Sequence, residues 1–182
     1  IAQRGTGARG IIVTECAYHG NTATVTDISP SALKRGELPD HVVSIPAPSK
    51  LAYGDNIAAG FAGAVSKAIN VLSDRGHKVA ALIVDSIFSS DGVFSKPRGF
   101  LRLAVAVVHR AGGVFIADEV QPGFARTGDA FWGFLRHDVI PDIVSMGKPM
   151  GNGFPMAGIA VRPDLLTAFC EDVGYFNTFA AN

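Results

Sequence analysis

The 182-residue sequence predicts an α/β domain in which helices flank a mostly parallel β-sheet. The first observation is a set of short apolar runs, which are typical of strands buried on both faces. The second is that segments with helical periodicity lie between these runs, as expected for strands joined by crossover helices. The third is that Asp118 and Lys148 closely follow the last two runs. Ligands of open α/β sheets bind outside the carboxyl ends of strands, so we expect a binding site there.

The apolar runs and the periodic segments define the expected elements. The predicted strands are Ile11–Thr14, His41–Ile45, Val79–Val84, Val114–Ala117 and Asp142–Met146. One predicted helix spans Asp55–Leu72 with Asp55 as its N-cap, and a second spans Pro97–Arg110 with Pro97 in its first turn. The segment Asn21–Ser49 is rich in turn residues, and we interpret it as a loop region around the second strand.

A glycine-rich stretch near the start, Gly5–Gly10, matches the dinucleotide-binding pattern G-x-G-x-x-G. That fingerprint has to follow a strand and open a helix, whereas this one precedes a strand. We therefore interpret it as a turn between a helix and the first strand, in which glycine supplies positive φ angles.

Composition limits the function classes. Sixteen basic and 16 acidic residues cancel, so no electrostatic argument favours a nucleic acid or an anionic membrane as partner. The length suits one domain, and no apolar run approaches the roughly 18 residues of a membrane helix. The two cysteines, Cys16 and Cys170, show neither metal-ligand spacing nor a disulfide framework, so we expect a reducing, cytoplasmic location.

Lys148 and Asp118 are the residues to which we assign chemistry first. Gly147, Pro149 and Gly151 place the lysine in a tight turn, from which its long side chain can reach inward. A lysine in a partly desolvated site can lose its proton and act as a nucleophile toward a carbonyl. An acid and an amine at the ends of two strands are suited to opposite ends of a flat ligand.

Four motifs occur in an order and spacing that resemble the class III aminotransferases, which are pyridoxal-phosphate enzymes of fold type I. The motifs are Asp118–Gln121 (DEVQ), Gly123–Gly128 (GFARTG), Pro141–Val144 (PDIV) and Gly147–Gly153 (GKPMGNG). The resemblance extends from about Tyr18 to Asn182. Met146–Pro155 and Tyr175–Phe179 are most similar to a branch that includes phospholyases of phosphorylated amino alcohols as well as aminotransferases.

The resemblance implies a role for each of several residues. Lys148 would form a Schiff base with pyridoxal 5'-phosphate, Asp118 would pair with the protonated pyridine nitrogen, and Gln121 would hydrogen-bond the phenolic oxygen of the ring. The remaining cofactor contacts implied are Tyr18 stacked on one face of the ring, Val120 on the opposite face, His19 beside Tyr18, and Thr178 on the cofactor phosphate of the neighbouring subunit in a homodimer.

Five residues, at three sites, depart from the family pattern. Asp85-Ser86 stands where the family usually has Glu-Pro, and Ser90 stands where some members carry a second glutamate that helps them to handle two kinds of substrate. Two alanines, at 180 and 181, replace two glycines. For Arg126 we expect a structural ion pair rather than a contact with substrate carboxylate or phosphate.

The function that the resemblance implies is transfer of an amino group from an amine or amino acid to a keto acid. A phospholyase, which eliminates phosphate from a phosphorylated amino alcohol, would use the same residues and stays open as an alternative. A noncatalytic, truncated scaffold is the alternative from another class. We expect residues 1–182 to be part of a pyridoxal-phosphate-binding large domain, with an N-terminal segment and a C-terminal small domain missing.

Overall fold

The computed structural model describes residues 1–33, 37–176 and 178. The helices and strands of this part, in chain order, are α1 (Ala2–Thr6), β1 (Gly10–Thr14), α2 (Ala23–Thr26), β2 (Val42–Ile45), α3 (Lys50–Tyr53), α4 (Ile57–Asp74), β3 (Val79–Asp85), α5 (Leu101–Arg110), β4 (Val114–Asp118), β5 (Ile143–Met146), β6 (Gly158–Val161) and α6 (Pro163–Asp172). Short 3-10 turns occur at Pro30–Ala32, Ser89–Asp91, Gly133–His137 and Lys148–Gly151.

The six strands form one sheet in the order β2-β1-β3-β4-β5-β6. The first five strands are parallel, and only β6 runs antiparallel, beside β5. Their side chains alternate between two hydrophobic clusters, one on each face of the sheet. One cluster is covered by α4 and α5, and the other by α1 and α6. The predicted α/β class with a mostly parallel sheet is therefore confirmed.

All five predicted strands are present, each within one residue of its predicted ends. The reason is clearest for β1, β3 and β4, whose apolar runs are buried almost throughout on both faces, so the strand signal is continuous. The predicted turn between a helix and the first strand is also found, although Gly5 belongs to the helix: α1 ends at Thr6, its C-cap Gly7 has a φ of 64°, and β1 begins at Gly10. Along Asn21–Ser49 the strand is found, but the short helix α2 and one 3-10 turn also form there.

The predicted N-cap of α4 was wrong by one residue. Asn56, not Asp55, is the N-cap, and its Oδ1 accepts a hydrogen bond from Ala59 N at 3.1 Å. Asp55 instead accepts a hydrogen bond from Lys50 Nζ at 2.9 Å. Both residue types favour N-caps, so the sequence alone did not separate these neighbours.

The predicted start of α5 was also wrong, because the helix begins at Leu101 and not at Pro97. Gly99 has a φ of 79°, in the left-handed region, which a right-handed helix cannot include. The segment before it is therefore a separate loop. Three further elements, α3, β6 and α6, were not predicted from the sequence.

A buried carboxylate, Asp142, ties the second half of the sheet together just before β5. It accepts hydrogen bonds from Phe115 N at 2.7 Å, His109 Nε2 at 2.7 Å and Arg162 Nη1 at 2.6 Å. These donors belong to β4, to α5 and to the residue before α6. The strand that leads to Lys148 is thereby fixed at its start. In the part of the chain that is described, no helix combines the length and the apolar character needed to cross a bilayer.

Candidate active site

The carboxyl ends of three neighbouring strands bring polar side chains into one row. Asp85 on β3 is the register partner of Asp118 on β4, which in turn is the partner of Ser145 on β5. Register partners on adjacent strands project to the same face of a sheet. The parallel topology therefore places two acids and a hydroxyl side by side, although they are far apart in sequence.

A cavity of about 220 Å³ lies at this edge of the sheet. Its lining residues come from the last positions of β3 and β4 and from the segments that follow β1, β3, β4 and β5, and they are Tyr18, His19, Gly20, Asp85, Ser90, Asp118, Val120, Gln121 and Lys148. Six of the seven residues proposed from the sequence as catalytic or cofactor-binding thus meet at one cavity. The seventh, Thr178, is exposed and is not part of the lining.

Asp118 is held by three hydrogen bonds. Its Oδ1 accepts hydrogen bonds from Val120 N and from Ser145 Oγ, both at 3.1 Å. Its Oδ2 lies 2.7 Å from His19 Nδ1, and the two side chains are only 8% and 4% exposed. A carboxylate oxygen can accept about two hydrogen bonds, and Oδ1 already has two. One acceptor position therefore remains, on Oδ2.

His19 connects the segment after β1 to Asp118. Because a carboxylate only accepts hydrogen bonds, the His19 Nδ1 must be the donor in this contact. The other ring nitrogen, Nε2, is buried and has no hydrogen-bond partner among the described residues. The backbone of His19 is also held, since its N–H donates to Ser29 Oγ at 2.9 Å. The adjacent Tyr18 is 47% exposed and lines the cavity with an aromatic ring that is not used in core packing.

Lys148 follows β5 and starts a 3-10 turn that ends at Gly151. Its φ is 40°, in the left-handed region that non-glycine residues adopt at a cost and mostly at functional sites. The residue is exposed, and within the described ranges its Nζ has neither a hydrogen-bond nor an ion-pair partner. An amine without a competing partner faces the same cavity as the Asp118 carboxylate.

Asp85 and Ser90 are part of the cavity lining, but the sequence analysis gave them no role there. Asp85 accepts hydrogen bonds from Ile87 N and Ser89 N, both at 2.9 Å, and from the hydroxyl of Ser89. Burial raises the pKa of Asp85, and the negative charge of Asp118 adds to that effect. The signal in the sequence was the polar residue after a buried strand, the same signal that identified Asp118.

Glu119 is completely buried behind the cavity and was also assigned no role. Its carboxylate accepts hydrogen bonds from Gly133 N at 2.6 Å, Phe134 N at 2.9 Å and Ser86 Oγ at 3.0 Å. Burial raises its pKa, and the hydrogen bonds oppose that rise. Glu119 thus anchors the loop that follows β4, because it binds the 3-10 turn at the far end of this loop.

Arg126 does not form the ion pair that we expected. It is exposed, and it pairs with no acid in the described part of the chain. The acid of this loop, Asp129, is paired instead with Arg98 and Arg136. Both arginines lie outside the Gly123–Gly128 motif, and the sequence alone did not indicate that they pair with Asp129.

An open, mostly parallel sheet thus has a buried carboxylate and, among the described residues, a lysine without a partner at the carboxyl ends of its strands, where α/β domains of this type bind ligands. The family model for class-III aminotransferases matches residues 1–182, and the chain belongs to that family. It is 36% identical over 194 residues to a Drosophila melanogaster protein named alanine--glyoxylate aminotransferase 2-like, covering all of this chain and 39% of that protein.

Two solved structures are also similar. A phospholyase from Arthrobacter in complex with phosphoethanolamine is 36% identical with a TM-score of 0.89, over 98% of this chain and 43% of that one. A taurine:2-oxoglutarate aminotransferase from Bifidobacterium kashiwanohense, in complex with PLP and glutamate, is 27% identical with a TM-score of 0.78, over 94% of this chain and 41% of that one. The chain therefore spans about two fifths of the length of these relatives.

Proposed function

We propose that the complete protein is a pyridoxal-phosphate-dependent aminotransferase, which moves an amino group from an amine or amino acid to a keto acid. The observation that carries this proposal is that Asp118 and Lys148 line one cavity together with Tyr18, Val120 and Gln121. Membership of the class-III aminotransferase family supports it.

The residues at the cavity fit pyridoxal phosphate. Asp118 has one free acceptor position on Oδ2, which would take the protonated ring nitrogen. Lys148 offers an amine without a partner among the described residues, which would take the carbonyl carbon. Tyr18 and Val120 offer an aromatic and an aliphatic side chain for the two faces of a flat ring, and Gln121 offers an amide for its phenolic oxygen.

Bound pyridoxal phosphate supplies a ring that accepts electrons and so stabilises negative charge on the substrate carbon that carries the amine. The side chain of Asp118 would keep a proton on the ring nitrogen, which would make the ring a better electron acceptor. His19, Ser145 and the N–H of Val120 fix the orientation of the Asp118 carboxylate before any ligand binds. Such preorganisation lowers the cost of placing charge in a buried site.

Lys148 has two tasks in this proposal. Its Nζ would hold the cofactor by its carbonyl carbon. When the substrate amine has taken that place, the Nζ would remove a proton from the substrate carbon as a base and deliver it to the cofactor as an acid. Its exposed position at the end of β5 gives the side chain room to make both movements.

The chain, in this proposal, is part of the cofactor-binding large domain of a longer, homodimeric enzyme. The coverage of only 39–43% of its relatives supports the greater length. Thr178 is exposed and outside the cavity of its own chain, which is compatible with a contact to the cofactor phosphate in the partner subunit. That role of Thr178, like the homodimer, stays a prediction.

The experiment that tests the assignment is borohydride reduction of the complete protein with pyridoxal phosphate, followed by peptide mapping. We expect the label on Lys148, and we expect Lys148→Ala to abolish it. Lys96→Ala removes an exposed lysine that lines a different surface depression and is the matched control, which should label normally. Label on another lysine, or no label, contradicts the assignment.

A phosphate elimination from a phosphorylated amino alcohol is the second candidate function. The similarity to the Arthrobacter phospholyase, with a TM-score of 0.89, specifically favours it. The two reactions differ in their need for an acceptor, so the complete enzyme should be given phosphoethanolamine without a keto acid. Steady release of ammonia and inorganic phosphate would identify a lyase and contradict the first proposal, whereas turnover that requires a keto acid would support an aminotransferase.

A further inference from the structure

Asp91 connects two walls of the cavity that are distant in sequence. It ends the 3-10 turn Ser89–Asp91, which follows β3 on the side of the cavity formed by Asp85. Its Oδ2 accepts a hydrogen bond from Thr14 Oγ1 at 2.7 Å, and its Oδ1 accepts one from Cys16 N at 3.1 Å. These donors are 77 and 75 residues away, at the end of β1.

The segment that Asp91 holds, Cys16–Gly20, carries Tyr18 and His19 into the cavity. Its far end is fixed by the contacts of His19 with Ser29 and Asp118. Within the described ranges, Asp91 makes the only side-chain hydrogen bonds between this segment, with the strand end before it, and the loop after β3. Without the Asp91 carboxylate, the start of Cys16–Gly20 would have no side-chain hydrogen bond to the described part of the loop after β3.

The loop after β3 is a firm support for this contact. Phe88 and Val93 have φ angles of 54° and 63°, and this left-handed region is costly for a β-branched residue such as Val93. A loop keeps such angles only when its surroundings fix it. Here the Phe88 side chain is packed in the core, with only 1% of its surface exposed. Asp91 lies between these two residues, so its carboxylate projects from a constrained backbone.

We propose that Asp91 is a positioning residue, which sets the placement of Tyr18 and His19 and thereby of the ring and the carboxylate that receive the cofactor. This inference rests on the proposed function, in which Tyr18 and His19 lie at the site of the cofactor. The Asp91 carboxylate accepts hydrogen bonds from Thr14 and Cys16, so it would affect the cofactor only through the placement of Cys16–Gly20. Thr14 is the matching donor, since its side chain is buried and its hydroxyl serves Asp91.

The test compares Asp91→Ala, Asp91→Asn and Thr14→Val with the wild-type complete protein. The control is Asn56→Ala, which removes the N-cap of α4 away from the cavity and so lowers stability without touching Cys16–Gly20. Two quantities are measured: amide hydrogen exchange over residues 16–20 in the protein free of cofactor, and the dissociation constant of pyridoxal phosphate.

We expect Asp91→Ala, which removes the acceptor of two hydrogen bonds, to speed exchange at Cys16–His19 and to raise the dissociation constant, each by at least about tenfold, since the loss of even one hydrogen bond to a charged group has that effect. Thr14→Val should act in the same direction but less strongly. Asp91→Asn keeps one acceptor oxygen and should restore most of both quantities. Asn56→Ala should change exchange only in the first turn of α4.

The inference is overturned if Asp91→Ala leaves exchange over residues 16–20 unchanged from the wild type. It is also overturned if the control Asn56→Ala raises the dissociation constant of pyridoxal phosphate as much as Asp91→Ala does. If the wild-type protein binds no pyridoxal phosphate, the proposed function fails, while the exchange measurement still decides whether Asp91 positions the segment. The two failures are therefore distinguishable.

Discussion

Replacement of Glu119 by alanine tests whether a single buried carboxylate holds the loop behind the cavity. The substitution removes the acceptor of three hydrogen bonds, two of which come from the backbone N–H groups of Gly133 and Phe134. Both of these residues are buried, so water cannot readily replace the lost acceptor. The two N–H groups are left without a partner.

The expected loss can be worked from these contacts. A buried donor left unsatisfied costs about 1–3 kcal/mol, so two cost about 2–6 kcal/mol. Removal of a carboxylate whose burial is itself unfavourable offsets part of this loss, as the raised pKa of Glu119 indicates. We therefore expect Glu119→Ala to lower the free energy of unfolding by roughly 2–4 kcal/mol, which is large among single substitutions.

Urea denaturation of the complete protein measures this change. Glu171→Ala is the matched control, because Glu171 is an exposed glutamate on α6, and it should change the free energy by less than about 0.5 kcal/mol. If Glu119→Ala is no less stable than the Glu171→Ala control, then the buried carboxylate does not hold the loop and the reasoning is refuted.

The pH dependence gives an independent check on Glu119. Since burial raises the pKa of Glu119 above its ordinary 4.5, the folded protein binds this proton more readily than the unfolded chain does. Its contribution to the free energy of unfolding therefore falls as pH rises from 4.5 through the folded pKa. Glu119→Gln should remove that slope, and an unchanged slope in the variant would contradict the assignment.

Three further predictions follow from buried groups. Asp118→Ala should lower turnover of the complete enzyme roughly a hundredfold or more, because it removes the proposed partner of the protonated ring nitrogen. Breaking a buried ion pair costs about 3–5 kcal/mol, and each 1.4 kcal/mol is about tenfold in rate. Near-normal steady-state turnover would refute the role of Asp118. Burial opposes the shift, but three hydrogen bonds hold the pKa of Asp142 below its ordinary 3.8, so its stabilisation is present above pH 3.8 and is lost as pH falls through the folded pKa. Asp142→Asn should thus be less stable than the wild type at neutral pH, with a difference that shrinks in acid denaturation below pH 3.8. Leu72→Ala empties a fully buried position and should cost about 2–5 kcal/mol in urea denaturation, whereas a cost under about 1 kcal/mol would contradict the packing.

The sequence by itself determined the fold class and most of the proposed site. Runs such as Val79–Val84 are apolar on both faces, and that pattern arises only where strands are covered from both sides. Asp118 and Lys148 could be identified because each comes soon after such a run, and strand ends collect ligands in this class of fold. Signals of this kind are local, since they depend on neighbouring residues in the chain.

The boundaries and the contacts were decided only by the tertiary structure. Whether Asp55 or Asn56 caps α4 depends on which side chain reaches Ala59 N in the packed helix, and the residue type does not fix that. His19 and Asp118 are 99 residues apart, yet they meet at 2.7 Å because crossover connections bring β1 and β4 to the same edge of the sheet. Asp91 reaches Thr14 for the same reason. Strand order is a property of the whole sheet, because it depends on contacts between strands that are distant in sequence.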